Sequence, residues 1–409
     1  MTRKVEWQVL LLVTLALTAF GIVMVYSATS ASAAIGGANP MSYLEKQATY
    51  ALLGLAALVL ASRFDYRRLK QLSSVLVLAA IGGCVAVLVV AHPINGARRW
   101  INFGPAVFQP SELAKLAVAV WIAAYLAQRE PPRTLRDLWR PVGALLALFS
   151  LLIMLEPDLG TTITLAVMVG AVLLVSGTPI FTLAAGFSIM TAVGVAAIWV
   201  EPYRRARVFA FLNPWHDAQG TGFQIVQAQI GLGSGGIFGD GLGQGVQKIH
   251  YLPEAHTDMI FAVIGEELGL IGATCVILAY AAFAWAGLKV ALECKDPFGK
   301  RLGAGLTALV CCQAAINLAA VLGMAPLTGI PLPFVSYGGS SLVVDLVCVG
   351  VLLNIAGSGH RVSAEMSDRS RRNGGSRAAV ARGRGRAPQP RRARDVRRVA
   401  GSRRGAARS

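Results

Sequence analysis

Charge is scarce over most of this chain. Only 14% of the 409 residues are Asp, Glu, Lys or Arg, whereas 55% are hydrophobic and the mean hydropathy is +0.58. This composition excludes an ordinary soluble domain, in which about 25% of residues are charged. Apolar runs of roughly 20 residues, the length needed to cross about 30 Å of hydrocarbon, recur along the sequence. The composition therefore predicts an all-α polytopic membrane protein.

Nucleotide and metal motifs are also missing. The sequence has no Gly-Lys-Ser/Thr of a P-loop, and its match to G-x-G-x-x-G at 231–236 has no surrounding βαβ unit, so we interpret that match as chance. Of the six cysteines, five lie in apolar runs and Cys294 lies in a short basic loop. None of them indicates an extracellular disulfide or a spaced metal site.

Ten transmembrane helices are predicted, and the distribution of basic residues orients them. The spans lie near 8–27, 47–62, 72–91, 111–127, 140–155, 160–177, 179–199, 257–287, 302–323 and 336–356. Lys and Arg are concentrated in one set of loops, so the positive-inside rule places both termini in the cytoplasm. The long loop at about 200–256, between helices seven and eight, is then extracytoplasmic.

Two domains follow from composition. Residues 1–358 form the predicted membrane domain, and residues 359–409 form an Arg-rich cytoplasmic tail with sixteen arginines and three carboxylates. The tail is expected to be disordered and to contact anionic lipid. Nucleic-acid binding is not expected, because arginine runs without aromatic residues are unspecific.

One junction concentrates titratable groups at the predicted membrane surface. Glu254, His256 and Asp258 precede an apolar run that begins at Met259. A carboxylate at this depth can accept a proton from a lipid-linked substrate. Alternatively, Thr257 or Asp258 is simply the N-cap of the eighth span, a contribution of about 1 kcal/mol.

The second outer loop supplies the basic candidates. Arg98 and Arg99 precede Trp100, and paired guanidinium groups suit an anionic headgroup. They could equally bind any anionic lipid while the tryptophan anchors the interface. Glu112 and Lys115, three residues apart on the fourth span, can meet on one helix face and point into a cavity or toward another helix.

Other outer segments each allow two interpretations. Glu156 and Asp158 could bind a cation, or Asp158 could cap the sixth span. Residues 222–230, which include Gln224, could form a short interfacial helix, and the run 231–245, with eight glycines in fifteen residues, is either mobile or packed closely against its neighbours. Ser336 and Ser340 near the last span could satisfy backbone groups beside prolines.

Several motifs in this order resemble the SEDS family over about residues 8–358. They are Arg-Arg-Trp at 98–100, Gln-Pro-Ser-Glu-Leu-Ala-Lys at 109–115, Glu-Pro-Asp-Leu-Gly-Thr at 156–161, Tyr-Leu-Pro-Glu-Ala-His-Thr-Asp at 251–258 and Pro-Phe-Val-Ser-Tyr-Gly-Gly-Ser-Ser at 333–341. Ala255, between Glu254 and His256 of the motif, is similar to the residue at this position in the cell-division members. The resemblance implies a ten-helix peptidoglycan glycosyltransferase that polymerises lipid II on the outer face of the cytoplasmic membrane at the division septum. It also implies a class B penicillin-binding protein and other divisome proteins as partners.

The resemblance also assigns roles to residues. Asp258 matches the essential catalytic carboxylate, and we expect it to act as an inverting general base on the acceptor 4-hydroxyl. Substrate contacts are expected from Arg98, Arg99, Glu112, Lys115, Gln224, Glu254, His256, Ser336 and Ser340. No cofactor is certain, although a divalent cation (Mg²⁺ or Mn²⁺) would suit the pyrophosphate. Thr328 stands where many members have lysine, so that role would pass to Arg98 or Arg99.

Two points stay open in the sequence. A helix N-terminus would lower the pKa of Asp258, whereas burial would raise it. A lipid II flippase is an alternative function, with Glu112, Lys115, Glu266 and Glu267 as its polar path, and a non-catalytic divisome scaffold is another. No Ser-x-x-Lys occurs, so a transpeptidase centre is not expected within this chain.

Overall fold

The computed structural model describes residues 3–35, 39, 41–91, 98–104, 106–249 and 252–358. The predicted Arg-rich tail lies outside this range, so its disorder and lipid contact stay predictions. His250 and Tyr251, at the start of the predicted site, also lie outside it.

The described chain is almost entirely helical. The helices are α1 Arg3–Ile35, α2 Met41–Arg63, α3 Arg67–Val90, α4 Pro110–Leu126, α5 Leu135–Leu138, α6 Ala144–Leu155, α7 Leu159–Ser176, α8 Ile180–Val200, α9 Pro202–Leu212, α10 Phe223–Ser234, α11 Ile260–Glu293, α12 Pro297–Val321 and α13 Gly339–Ser358. A π-helical turn joins α5 to α6, and a 3₁₀ turn, Pro214–Asp217, precedes α10. Strands β1 Ile101–Phe103 and β2 Ala106–Phe108 form an antiparallel hairpin in which Ile101 pairs with Phe108.

Nine of the described helical segments are long and apolar enough to cross a membrane. The remaining predicted span corresponds to α4, whose 17 residues lie at the short end of the spanning range. Most of its side chains are buried, so neighbouring helices rather than lipid surround it. The predicted fold class, a polytopic helical membrane protein, is confirmed.

The centre of the bundle lies where α12 packs against α4, α7 and α11. Leu306, Leu309 and Val310 of α12 are fully buried. Small residues permit this close approach. A methyl group added to Gly287 of α11, for example, would lie 2.4 Å from the Thr307 hydroxyl of α12. Helix α8, by contrast, is mostly exposed and packs at the periphery.

The long loop is bound to the bundle. The predicted helix near 222–230 is confirmed as α10, which packs on α11 and buries Ile225, Val226 and Ala228. Of the two interpretations of the glycine run, close packing is the one found. A methyl group at Gly239 would lie 2.3 Å from the Glu267 carbonyl oxygen.

This packing coincides with a break in α11, which the sequence did not predict. Gly269 adopts φ 63° and ψ −163°, a conformation that glycine tolerates and other residues avoid. The Asp240 N–H donates to the Glu266 carbonyl and the Gly241 N–H to the Glu267 carbonyl, both at 3.0 Å. The Leu270 N–H donates to the Gly236 carbonyl at 2.9 Å. The loop therefore satisfies backbone groups that the interrupted helix leaves unpaired.

Candidate active site

A cavity of about 1630 Å³ lies beside the N-terminal end of α11. Its walls come from α2, the β-hairpin, the turn before α11, the turn at 329–331 and the start of α13, together with parts of α4, α6, α7, α8, α9 and α12. Both signs of charge line it, namely Glu45, Lys46, Arg99, Glu112, Lys115, Asp158, Glu201, Arg204, Arg207, Glu254 and Asp258. A cavity of this size exceeds the 300–1,000 Å³ of ordinary small-molecule sites.

Asp258 lies on the cavity wall and does not cap the helix. Helix α11 begins at Ile260, and its N-cap residue is Met259, which makes no capping side-chain hydrogen bond. The interpretation of Thr257 or Asp258 as the N-cap is therefore wrong. The backbone carbonyl of Asp258 accepts a hydrogen bond from Asn317 Nδ2 at 2.7 Å, which fixes the turn while the carboxylate faces the cavity.

The surroundings of Asp258 make it a stronger base than an ordinary aspartate. Burial, and then the negative charge of Glu254, raise its pKa to about 6, against the lowering effects of Arg207 and the Thr257 hydroxyl. Burial thus outweighs the groups that favour the charged form. At pH 7 the carboxylate is still mostly ionised, and its pKa is close to the operating pH, where general bases work best.

The turn before α11 holds a second carboxylate and an imidazole next to Asp258. The Thr257 hydroxyl lies 2.9 Å from Glu254 Oε2 and 3.3 Å from Asp258 Oδ1, so its single proton can serve either carboxylate. Burial lowers the pKa of His256, against the raising effect of Glu254. His256 is therefore neutral at pH 7.

Aromatic rings surround this imidazole. Tyr43 contacts it edge-on with centroids 5.1 Å apart, and the Tyr337 ring lies 5.4 Å from it. Tyr337 N–H also donates to the His256 carbonyl at 2.9 Å. All three side chains line the cavity.

A buried polar network lies deeper in the cavity. The predicted pairing of Glu112 with Lys115 is confirmed, with 2.8 Å between Oε2 and Nζ. With its amide oriented to suit both neighbours, the Gln313 side chain accepts from Lys115 and donates to Asp345 Oδ1 at 3.3 Å. Asp345 is 2% exposed, and the sequence-based reasoning missed it. A lone carboxylate in the last apolar span was the signal that could have found it.

The two arginines just before β1, Arg98 and Arg99, differ in position. Arg99 lines the cavity, and its guanidinium donates to the backbone carbonyls of Glu156, at 2.9 Å, and Pro157. Arg98 is exposed, donates to the Leu88 carbonyl at 3.1 Å and does not line the cavity. Only Arg99 therefore has the placement that the prediction required.

Of three other residues predicted to contact the substrate, one lines the cavity and two do not. Ser340 lines the cavity and accepts from Gln109 N–H at 3.2 Å. Ser336 is buried and accepts from Leu332 N–H at 2.8 Å, so it holds the turn before α13. Gln224 donates to the Pro253 carbonyl at 3.3 Å and supports the turn before α11 from outside the cavity.

The carboxylates before α7 have separate roles. Asp158 caps α7 through Thr161 N–H at 3.0 Å, which confirms the capping interpretation, and it also lines the cavity. Burial and the charge of Asp158 raise the pKa of Glu156 to about 8, so Glu156 is mostly neutral at pH 7. Across the described ranges, no three His, Cys, Asp or Glu side chains are grouped as metal ligands.

Glu266 and Glu267 are buried away from the cavity. Glu266 Oε1 accepts from the N–H groups of Val246 and Gln247 at 2.6 and 3.0 Å. Glu267 pairs with Lys248 at 2.6 Å and accepts from the Ser27 hydroxyl at 2.7 Å. Both carboxylates attach the long loop to the bundle, so they do not form a continuous polar path with Glu112 and Lys115.

Arg207 of α9 is a cationic group of the site that the sequence-based reasoning left without a role. It lines the cavity, lowers the pKa of Asp258 through its charge, and donates to the Leu327 carbonyl at 3.0 Å. It therefore lies next to Thr328, the position where the resemblance led us to expect lysine. Only the fold brings α9 to this turn, 120 residues away in sequence.

Comparisons with known proteins agree with this arrangement. Residues 7–360 match the FtsW/RodA/SpoVE family model, described as a cell cycle protein. A probable peptidoglycan glycosyltransferase FtsW from Geobacter sulfurreducens is 40% identical over 352 residues, which cover 85% of this chain and 94% of that protein. Stage V sporulation protein E from Bacillus subtilis is 38% identical over 367 residues, 87% of this chain and 98% of that protein.

Solved structures show the same fold. A chain from a peptidoglycan synthase complex, solved to explain how polymerization and crosslinking are coordinated, superposes with a TM-score of 0.70 at 31% identity. The rod shape determining protein RodA from Thermus thermophilus superposes with a TM-score of 0.62 at 29% identity. Each match covers 85% of this chain and 96% of the other.

Proposed function

The chain belongs to the FtsW/RodA/SpoVE cell cycle protein family, and we propose that it is a peptidoglycan glycosyltransferase that polymerises lipid II into glycan strands. The names of the FtsW relatives support this activity. The observation that carries the proposal is the position of Asp258, whose carboxylate lies on the wall of a large cavity with its pKa raised to about 6.

The proposed reaction needs one base and one stabilised leaving group. The acceptor's sugar 4-hydroxyl attacks the donor's anomeric carbon, and the bond from that carbon to the undecaprenyl diphosphate oxygen breaks. Asp258 takes the hydroxyl proton as the new glycosidic bond forms, and the electron pair of the broken bond leaves with the diphosphate. Attack opposite the leaving group inverts the anomeric centre.

Arg207 is the group that we assign to the departing diphosphate. It lines the cavity close enough to Asp258 to lower that pKa, and its contact with Leu327 places it next to Thr328. A fixed guanidinium near the developing negative charge stabilises the transition state. Arg98, named in the prediction, does not line the cavity, and Arg99 uses its donors on the turn at 156–157.

The rings of Tyr43, His256 and Tyr337 are assigned to the acceptor sugar. They form one cluster on the cavity wall, with His256 only two residues from Asp258. Aromatic walls with a few placed polar groups are typical of sites that orient small ligands. Because His256 is neutral at pH 7, it can position a hydroxyl through a hydrogen bond without placing a positive charge beside Asp258.

A divalent cation remains a prediction. Magnesium sites often use one or two carboxylates together with substrate phosphates, and Glu254 on the cavity wall could supply one such ligand. When bound, such an ion would neutralise charge on the diphosphate. Activity in the presence of EDTA, with and without added Mg²⁺ or Mn²⁺, measures this dependence.

The partner and the location are proposed on the same basis. A class B penicillin-binding protein would cross-link the strands made here, as suggested by the structural match to a complex that coordinates polymerization with crosslinking. The basic loops favour cytoplasmic termini, which would put the cavity on the outer face. The FtsW relatives and Ala255 favour the division septum.

A direct experiment separates this function from its alternatives. Purified protein is incubated with labelled lipid II, with and without its cognate transpeptidase, and products are resolved by size. A ladder of glycan strands is expected. A flippase would instead move lipid II across vesicle membranes and form no polymer, and a scaffold would let Asp258→Ala complement a deletion strain. The separation of Glu266 and Glu267 from the cavity favours the polymerase over the flippase.

A further inference from the structure

A second groove lies at the opposite end of the bundle from Asp258. It has a volume of about 350 Å³ and an almost wholly apolar lining of Leu60, Ala61, Phe64, Leu69, Leu76, Leu116, Val120, Val347 and Val351. Tyr43 lines the first cavity, whereas Phe64 lies just beyond the other end of α2. The two linings come closest on α2 at Leu53 and Leu60, about 10 Å apart by helix rise, and on α4 at the adjacent residues Lys115 and Leu116. The two sites are therefore separate cavities that extend toward opposite ends of α2.

The groove exists because α2 and α3 diverge from the turn that joins them. Helix α3 packs on α4, whereas α2 packs on α1 and α13, where a methyl group at Gly350 would lie 2.8 Å from Ala61 Cβ. Side chains of α4 and α13 close the back of the gap, and Val120 and Val351 there are buried. Leu69 and Leu76 show that the groove extends about 10 Å along α3.

A strongly basic segment borders this groove. The α2–α3 turn, residues 63–70, carries Arg63, Arg67, Arg68 and Lys70 against one carboxylate, Asp65. Asp65 accepts the Arg67 backbone N–H at 3.0 Å. In the part of the chain that the structure describes, none of the four cations forms an ion pair within 4.0 Å, and the three arginines are exposed.

The turn itself is held in place. Tyr66 is 1% exposed and stacks on Phe298, with centroids 6.1 Å apart. Its backbone N–H donates to Asn354 Oδ1 at 3.2 Å, while Asn354 Nδ2 donates to the Ser62 carbonyl at 2.6 Å. The arginines therefore extend from a fixed backbone.

One residue connects the charge to the apolar groove. The Arg68 guanidinium lies 5.9 Å from the ring centroid of Phe64, which lines the groove. We propose that the groove binds an acyl chain of an anionic phospholipid whose phosphate is held by Arg68, Arg67 and Arg63. Basic pockets between transmembrane helices bind anionic headgroups in this way, and each nearby Lys or Arg adds to the attraction.

The test compares two phospholipids with identical acyl chains. Purified full-length protein in mild detergent is titrated with dioleoyl phosphatidylglycerol or dioleoyl phosphatidylcholine, and bound lipid is counted by native mass spectrometry. Phosphatidylglycerol is expected to bind at least about tenfold more tightly. Equal binding of the two lipids would overturn the proposal.

Two variants and two matched controls locate the site. Arg67→Gln/Arg68→Gln should lower phosphatidylglycerol affinity by at least about tenfold, and Leu76→Trp should block the groove for either lipid. Arg133→Gln/Arg136→Gln removes the same charge from another exposed loop, and Leu78→Trp alters a 69% exposed residue of the same helix outside the groove. Unchanged binding in either test variant, or equal loss in either control, would refute the site. All four changes are at exposed or partly exposed positions, and a melting curve for each confirms folding.

Discussion

Lys248 Nζ lies 2.6 Å from Glu267 Oε1, and these side chains are only 1% and 0% exposed. The Ser27 hydroxyl completes the cluster, with contacts to both partners. This buried cluster joins three segments, namely α1 through Ser27, the long loop through Lys248 and the first part of α11 through Glu267. It therefore attaches the loop that leads to Asp258 to the helical bundle.

Removing one partner of this pair should destabilise the protein strongly. In Lys248→Met, the Glu267 carboxylate is left buried without its cation, and the free energy of unfolding should fall by about 3–5 kcal/mol. The double variant Lys248→Met/Glu267→Leu should recover most of that loss, because no unpaired charge remains. Tryptophan fluorescence during denaturation in detergent measures the change. Lys295→Met, at an exposed position, is the control, and an equal effect there would contradict the prediction.

Two glycines of the long loop provide a matched comparison. Gly239 and Gly243 have nearly the same φ, +80° and +82°, but a methyl group at Gly239 would lie 2.3 Å from the Glu267 carbonyl oxygen, whereas nothing lies within 4 Å of one at Gly243. Gly243→Ala should therefore cost only backbone strain of about 1–2 kcal/mol. Gly239→Ala should cost more, because the loop must also move away from α11. Equal melting temperatures for the two variants would mean that the loop does not pack on the helix break.

The pH dependence of polymerisation should report Asp258. The base must be ionised, so kcat/KM should rise with pH and level off above about 6, the pKa that burial and Glu254 give it. Glu254→Gln removes a negative charge, lowers the pKa of Asp258 and moves the acid limb to lower pH.

Arg207→Gln should have the opposite effect. Loss of its positive charge raises the pKa of Asp258, so the acid limb moves to higher pH, and kcat falls if Arg207 also stabilises the diphosphate. Arg205→Gln, which changes a neighbouring arginine outside the cavity lining, should leave the profile in place. Profiles that move in the same direction for Glu254→Gln and Arg207→Gln would exclude these electrostatic assignments.

The positions of the helices could be predicted because each apolar run carries its own signal. Every predicted span overlaps a helix of the structure, and the Glu112–Lys115 pair follows from helical periodicity alone. The alternative that Thr257 or Asp258 caps α11 is wrong, since a polar residue before an apolar run looks like an N-cap whether or not the helix begins there. The turn at 252–259 continues past Asp258 because Asn317 holds its backbone.

Features that depend on distant segments could not be predicted in the same way. The break at Gly269 is stable only because residues 236–241 supply hydrogen bonds across the fold. The placement of Arg207 beside Asp258, and of Lys248 against Glu267, likewise results from how the long loop folds back. Arg98 and Arg99 are adjacent in sequence and chemically identical, yet only the latter lines the cavity, so composition could not distinguish them.

The most direct test of the central claim is the polymerisation rate of Asp258→Asn in purified protein supplied with labelled lipid II. Asparagine keeps the size of the side chain but cannot take the hydroxyl proton, so the rate should fall by about 10²–10⁴-fold while the melting temperature and membrane insertion stay unchanged. Asp240→Asn, an exposed carboxylate in the same loop, should retain wild-type activity. Polymerisation by Asp258→Asn at the wild-type rate would remove this carboxylate from the mechanism.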